Sequence, residues 1–383
     1  MRVLFTGQTG IDKRSHLEAL EAFCAGRRKR IDAVFNVGDM MYEESQKAGT
    51  PLKEGKILDL PGAQLDSLRR SAFTRITYES SAKQNVFVNS HAVFRWNNKL
   101  FRAFEISELA GFDPDMIVTL VDDIEAVKAR LDEYKSSGSL PPDTIYSLKD
   151  LMVWREEEIL ASEIIAALLK VPHYVLGVWL DNQVTEHPLE TAFSLMFEPW
   201  KKRAYISYPI SDAQGDPDIW RRVLRFRKLT RTYLAAFDPL MISEKRLHGL
   251  MLRHRVEHPR ATELTCEVRG KDVQLSLEEI GAIDRDIDGQ IIARDYKLID
   301  QAEMIVAYFP VGSSGTALIA GGVQSEIEHA VASTKEVLVL WEATREPTPF
   351  IAQKADKKFE SLDQLETYLK QISQRPGQQE MTL

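Results

Sequence analysis

Short apolar runs of strand length, each followed by a stretch with helical spacing, dominate the chain. "RVLFT" leads through "GQTGIDKRS" into "HLEALEAFCAG", which predicts strand, glycine turn and helix at the N-terminus. Apolar runs at "AVFNV", "NVFVNS", "MIVTLVD" and "YVLGVWL" then alternate with helical patterns such as "IEAVKARLDEY" and "WREEEILASEIIAALLK". Such alternation predicts a largely parallel sheet. The cycle restarts near residue 200 with a strand at "AYISYPI", a long helix at "DIWRRVLRFRKLTRTYLAAF" and a short strand around "PLMI". From Asp295 onward the pattern reads helix "DYKLIDQA", strand "EMIVAYF", loop "PVGSSGTALIAGG", helix "VQSEIEHAVAST", strand "EVLVLWE" and helix "SLDQLETYLKQI". Residues from about 250 to 290 follow neither cycle and are read as a lid or insertion.

These patterns predict an α/β protein with one parallel-sheet domain over 1–200, a second over 201–375, and a polar tail over 376–383. A length of 383 residues suits two such cores. Composition adds mostly exclusions. With 44% hydrophobic and 28% charged residues the chain has ordinary globular usage. No apolar run reaches the ~18 residues of a membrane span, and "MRVLFTGQTG" turns glycine-rich too early for a signal peptide, so the expected location is cytoplasmic with no membrane partner. Cys24 and Cys266 lack neighbouring Cys or His patterns, so they read as reduced thiols. A net charge of −8 argues against nucleic-acid binding, and the basic "GRRKR" at Gly26 to Arg30 reads as a solvated helix end.

A phosphate-binding loop needs glycines so that backbone N–H groups can point inward, a lysine for the outer phosphates, and a hydroxyl for magnesium. Gly7, Gly10 and Lys13 fit that spacing, but Asp12 replaces the glycine before the lysine. Arg14 stands at the Ser/Thr position, and Ser15 comes one residue late. Together with "VFNVGDMMYEES", "NVFVNSHAVFRW" and "DPDMIVTLVDDIEAVKARL", this stretch resembles an archaeal-type adenylate kinase over roughly residues 1–170. The resemblance implies a P-loop kinase-like domain in which Lys13 contacts phosphate, Arg95 and Arg155 are further phosphate ligands, and ATP with Mg2+ are the expected ligands. The departures at Asp12 and Arg14 favour a nucleotide-binding or degenerate kinase domain over an active kinase.

In the second half Tyr205, Asp295 and Glu326 lie near predicted strand ends or helix starts. A carboxylate nucleophile with a second carboxyl as acid is what glycosidic cleavage requires, and a tyrosine hydroxyl can orient the nucleophile. "GGVQSEIEHA" raises a choice: Glu326 is either a first-turn acid favoured by the helix dipole or a residue aimed into a pocket. "RDYKLIDQAEMIVAYFP" followed by "GGVQSEIEHAVA" resembles the nucleoside 2-deoxyribosyltransferase superfamily, especially its deoxynucleoside monophosphate N-glycosidases, over about residues 203–372. That resemblance implies a Rossmann-like, flavodoxin-like domain with Glu326 as nucleophile, Asp295 as the acid assisting base departure, and Tyr205 as the strand-end tyrosine. It also implies a turn at Gly322 and Val323 beneath the sugar phosphate, and a homo-oligomer. Ala320 stands where the monophosphate hydrolases carry a phosphate-binding serine, and Ser313 or Ser314 in the longer preceding loop are the substitutes. Asp300, one turn beyond Asp295, is an alternative acid. Glu326 and His329 have the i, i+3 spacing of a di-iron pair, but no second such pair accompanies them, so no metal is expected.

The leading expectation is an enzyme that hydrolyses or exchanges the N-glycosidic bond of a nucleotide or nucleoside without a cofactor for that step. The alternatives are a nucleoside monophosphate kinase with a ligand-binding C-terminal domain, and a non-enzymatic nucleotide sensor. The fusion of these halves would suit nucleotide salvage or anti-phage nucleotide depletion.

Overall fold

The computed structural model describes residues 1–49, 60–96, 99–141, 144–178, 187–242 and 244–374. The expected tail at 376–383 lies outside them. The chain forms two compact units, one of residues 1–179 and 242–288 and one of residues 180–241 and 289–383. The division thus falls about 20 residues before the boundary expected at 200, and the chain returns to the first unit for the segment over 242–288.

The first unit begins with β1 (Arg2–Thr6), α1 (Lys13–Gly26), β2 (Ala33–Asn36), α2 (Val37–Lys47), α3 (Gly62–Ser80), β3 (Val86–Asn89) and the antiparallel pair β4 (Val93–Trp96) and β5 (Lys99–Arg102). It continues through α4 (Ile106–Phe112), β6 (Met116–Val121), α5 (Ile124–Ser136), α6 (Leu148–Leu169) and β7 (His173–Gly177). The other five strands form a wholly parallel sheet in the order β2-β3-β1-β6-β7. Every residue of β6 is buried, as a parallel strand covered on both faces must be. Leu4, Val86, Val88 and Ile117 of the sheet pack with Phe73, Phe112 and Ile165 from the helices. α6 starts sharply because Ser147 and Asp150 form a reciprocal capping box.

The second unit begins with α7 (His187–Phe197), β8 (Arg203–Ser207), α8 (Ile210–Gln214), α9 (Pro217–Tyr233) and β9 (Ala235–Phe237). α7 belongs here because Thr191 Oγ1 donates to the Ala236 carbonyl at 2.8 Å. The strand expected around "PLMI" occurs earlier, at β9, and Pro239–Met241 form a 3-10 turn instead. Proline cannot donate to a sheet ladder, so the apolar run before it takes the strand.

The segment read as a lid consists of α10 (Lys245–Glu257), the hairpin β10 (Glu263–Val268) and β11 (Lys271–Ser276), and α11 (Leu277–Ala282). β10 alternates exposed and buried residues, so one face of the hairpin is solvated. The chain then runs through α12 (Asp284–Asp300), β12 (Met304–Phe309), α13 (Gly321–Ala332), β13 (Glu336–Trp341), α14 (Pro349–Ala352), β14 (Lys357–Phe359) and α15 (Leu362–Ile372). The second parallel sheet has the order β14-β13-β12-β8-β9. Read in chain order this is 2-1-3-4-5, the flavodoxin-like arrangement, whose ligand crevice falls at the carboxyl ends of the first and third strands. β8 and β12 occupy those places. Ala204 and Ile206 face a core containing Val223 and Phe226 of α9 and Leu365 and Leu369 of α15. The two-residue repeat of a strand therefore sends Tyr205 and Ser207 to the opposite face.

Among the described residues, no helix is long and apolar enough to cross a membrane. "GRRKR" is exposed just beyond α1, with the Arg27 guanidinium 3.6 Å from the Phe23 ring centre.

Candidate functional sites

In the first unit the glycine loop leaves the end of β1 and enters α1. Gly7 has φ +146°, and a Cβ there would lie 2.7 Å from the Leu120 carbonyl oxygen. Gly10 has φ +88°, and its Cβ would meet Val127 Cγ1 at 2.9 Å. Both positions require glycine for backbone shape and closeness to neighbouring elements. Lys13 opens α1 with only 5% of its surface exposed, and its Nζ donates to the Gly7 carbonyl at 2.6 Å. Burial lowers its pKa to about 8 against the opposing pull of Glu158. The same Nζ lies 3.3 Å from the ring nitrogens of His91, which burial and the lysine charge hold well below the usual imidazole range.

Asp12 caps α1 by accepting the Ser15 N–H at 3.2 Å. Arg14 forms an ion pair with Asp39 at 2.5 Å. A cavity of about 270 Å³ adjoins the loop, lined by Gly10, Asp12, Lys13 and Arg14 together with Arg69, Asn89, Phe94 and Tyr134. Asn89 donates to Asn36 Oδ1 at 2.8 Å, while its own Oδ1 is buried without a hydrogen-bond partner among the described residues.

Neither Arg95 nor Arg155 is among the described residues lining this cavity. Arg95 forms two bonds to Glu157, at 2.5 and 3.1 Å. Arg155 is 4% exposed and holds Glu244 through 2.5 and 3.1 Å contacts. Both are expected phosphate ligands that here pair with carboxylates: α6 carries both Arg155 and Glu157, and buried or half-buried guanidinium groups take the nearest anions. Asp123, Glu125 and Glu244 have carboxylate oxygens within 4.8 Å of one another, close enough to share an ion. Arginines already meet these charges: Arg155 at 2.5 Å from Glu244, Arg246 at 3.4 Å from Glu125 and Arg269 at 3.6 Å from Asp123.

In the second unit, Tyr205 Oη donates to Glu326 Oε1 at 3.0 Å, and Ser207 Oγ donates to Glu326 Oε2. Asp295 on α12 is buried beside Arg294, whose Nη2 lies 3.2 Å from Asp295 Oδ1. Burial, and then the Asp295 charge, push the Glu326 carboxyl up to about 8, while the two hydroxyl donors pull it down. Burial also raises Asp295, against Arg294, and holds Tyr205 well above the usual phenol range. Tyr205, Asp295 and Glu326 are thus brought into one electrostatically coupled group.

Glu326 is not a first-turn acid. α13 already begins at Gly321, so Glu326 is its sixth residue and lies in the second turn. Gly322 and Val323 correspondingly form the first helical turn instead of a separate turn, and Val323 is buried in the packing of that helix. Ala320 caps α13 without a side-chain hydrogen bond. Ser313 and Ser314 lie on an exposed loop, where Ser314 Oγ bonds Thr316 Oγ1 at 2.7 Å. Asp300 bonds His329 Nε2 at 2.8 Å, and His329 stacks on Tyr296 with ring centres 4.0 Å apart. These contacts give both residues a role in holding α12 to α13, and Asp295 is the acid whose charge reaches Glu326.

Sequence reasoning missed Ser207, Arg69 and Glu158. Ser207 had a usable signal, since Tyr205 and Ser207 are two apart at a strand end and must share a face. Glu158 had none within the acidic run "REEEIL".

The raised Glu326 pKa has a defined stability consequence. Folding lifts this carboxyl from its ordinary value of 4.5 to about 8, so between those values the folded state holds a proton that the unfolded chain has lost. Stability is therefore expected to fall as pH rises through that window. Denaturant midpoints measured across it should decline for the natural protein and flatten for Glu326→Gln.

A family model described as an AAA domain matches residues 28–149. The match begins after the glycine loop and fits a P-loop nucleotide kinase-like N-terminal region. No curated protein matches the chain. Among the solved structures that match is one at 12% identity and TM-score 0.19, covering 45% of this chain and 92% of its own: a crystal structure of Sir2 in complex with the inhibitor EX-527, 2'-O-acetyl-ADP-ribose and deacetylated p53-peptide. A likeness at that score carries no argument. The fold and the family match together fit a P-loop nucleotide kinase-like α/β region followed by a second α/β domain with flavodoxin-like strand order.

Proposed function

We propose that the second unit cleaves the N-glycosidic bond of a nucleotide or nucleoside, with Glu326 as nucleophile, and that the first unit binds a nucleotide. The observation that carries the reading is a carboxylate held by two hydroxyls at the crevice of a flavodoxin-like sheet and coupled to a second buried carboxyl. A Glu326 oxygen attacks C1′ as the C1′–N bond breaks. The bonding electrons pass to the base nitrogen, which takes a proton from Asp295. Water then attacks C1′ of the glycosyl-enzyme and returns its proton to Asp295, releasing Glu326 as carboxylate; a second base in place of water gives exchange. The uncapped N-terminus of α13 favours a phosphate on the sugar.

The two carboxyls repel one another, so the pair keeps one proton through neutral pH. Positive charge developing at C1′ favours ionised Glu326 and places that proton on Asp295, where the departing base needs it. Accordingly, kcat/KM for base release is expected to fall above pH 8 as the pair loses its last proton. Ser207→Ala and Tyr205→Phe each remove a donor that favours ionised Glu326. Each is expected to move that limb up by about one pH unit and to lower kcat/KM about tenfold.

The deciding experiment is chromatographic. The full chain is incubated with nucleosides, nucleoside mono- and triphosphates and NAD, with and without ATP and Mg2+, beside Glu326→Gln. Free base released only by the natural protein supports the glycosidase and names its substrate. Phosphate interconversion without base release overturns it in favour of a kinase centred on Lys13.

A further inference from the structure

One backbone donor of the glycine loop already meets an anion of the chain's own. Glu158 on α6 is 1% exposed, and its Oε1 accepts the N–H groups of Gly7 at 2.8 Å and Ala92 at 2.7 Å. Its Oε2 accepts the Val93 N–H at 2.8 Å. Three converging backbone donors make a nest of the kind that holds an anionic ligand, and one of them is the first glycine of the loop. Lys13 belongs to the same arrangement. Its ammonium is turned back onto the Gly7 carbonyl and feels the Glu158 charge. At the other end of the loop the Asp12 carboxylate takes the Ser15 N–H, and Arg14 is paired with Asp39. Four groups that could hold a phosphate chain, the Gly7 and Ser15 N–H groups, Lys13 and Arg14, thus already have partners within the chain, and three of those partners, Glu158, Asp12 and Asp39, are carboxylates.

We infer that Glu158 acts as a built-in plug of the glycine loop, so that the first unit as folded excludes the phosphate chain of a nucleoside triphosphate. The adjoining cavity stays open to the remainder of a nucleotide, and the unpartnered Asn89 Oδ1 in its wall offers an acceptor to a heterocycle N–H. Withdrawing Glu158 frees the Gly7 N–H and leaves Lys13 without its internal countercharge. Both changes favour an incoming phosphate. This inference concerns the first unit only and does not depend on the chemistry of Glu326.

The test is titration calorimetry of the full chain with Mg2+ and ATP, comparing the natural sequence, Glu158→Gln and the double variant Asp12→Gly with Arg14→Ser. Glutamine keeps an acceptor oxygen for the Gly7 and Ala92 donors but removes the charge. The double variant restores glycine and hydroxyl at the mouth of the loop, where Arg14 is exposed, and tests the carboxylate argument if Glu158→Gln does not fold. Each variant is expected to bind ATP at least tenfold more tightly than the natural protein, and the gain should vanish with Lys13→Ala added. Equal or weaker ATP binding by the folded variants, or a gain that survives Lys13→Ala, would overturn the plug. Base release is not a readout here, so a failed glycosidase reading and a failed plug give different results.

Discussion

Glu326→Gln is expected to lower the rate of base release by at least about 10³-fold while leaving the fold intact. Glutamine is nearly isosteric and can still accept from Tyr205 or Ser207, but it offers no anionic oxygen to C1′. Removing the charge also relieves the burial and the Asp295 repulsion that raise the carboxyl, so stability near pH 8 should not fall. The measurement is single-turnover base release beside a denaturant titration. A variant that is fully folded and retains activity within tenfold would remove Glu326 as nucleophile. Asp300→Asn should have little effect in the same assay, because Asp300 is engaged with His329 and Ser333.

The largest effect on stability is expected at Arg155 and Glu244. Their side chains are 4% and 1% exposed and meet through two contacts, so removing either partner strands a buried charge. Arg155→Ala or Glu244→Ala should destabilise the first unit by roughly 3–5 kcal/mol. The double replacement Arg155→Met with Glu244→Leu should recover most of that loss, since a well-packed apolar pair avoids the desolvation penalty. Chemical denaturation of the natural protein and these three variants makes the comparison. If Arg155 were a phosphate ligand instead, its loss would weaken nucleotide binding with little change in stability.

That contrast shows how differently the two halves could be read. Lys13, Arg95 and Arg155 were all plausible phosphate ligands by position, yet an arginine on a long helix serves whichever anion the fold brings near it. For Arg155 that anion is Glu244, 89 residues away in a segment whose pattern suggested only an insertion. Tyr205, Asp295 and Glu326 were legible because each lies at a strand or helix position fixed by a strong local pattern, and the parallel order of β8 and β12 follows from alternating elements. The glycines at 321 and 322 misled for a local reason. Without positive φ or crowding at either, they extend α13 by two residues instead of bending the chain before it.

By itself, the sequence determined the α/β class, most of the element order, the presence of a modified glycine loop, and the three polar residues of the second unit. Those features depend on periodicity and on residue types within a few positions, which one chain displays directly. Only the tertiary structure decided that Ser207 joins Tyr205 on Glu326, that Arg155 belongs to Glu244, and that residues 242–288 pack with the first unit. It also decided that Glu158 accepts the N–H of the first loop glycine. The physical reason is common to all four: buried charges and hydroxyls take their partners from across the fold, and the identity of a partner 65 to 151 residues away leaves no mark in the local pattern.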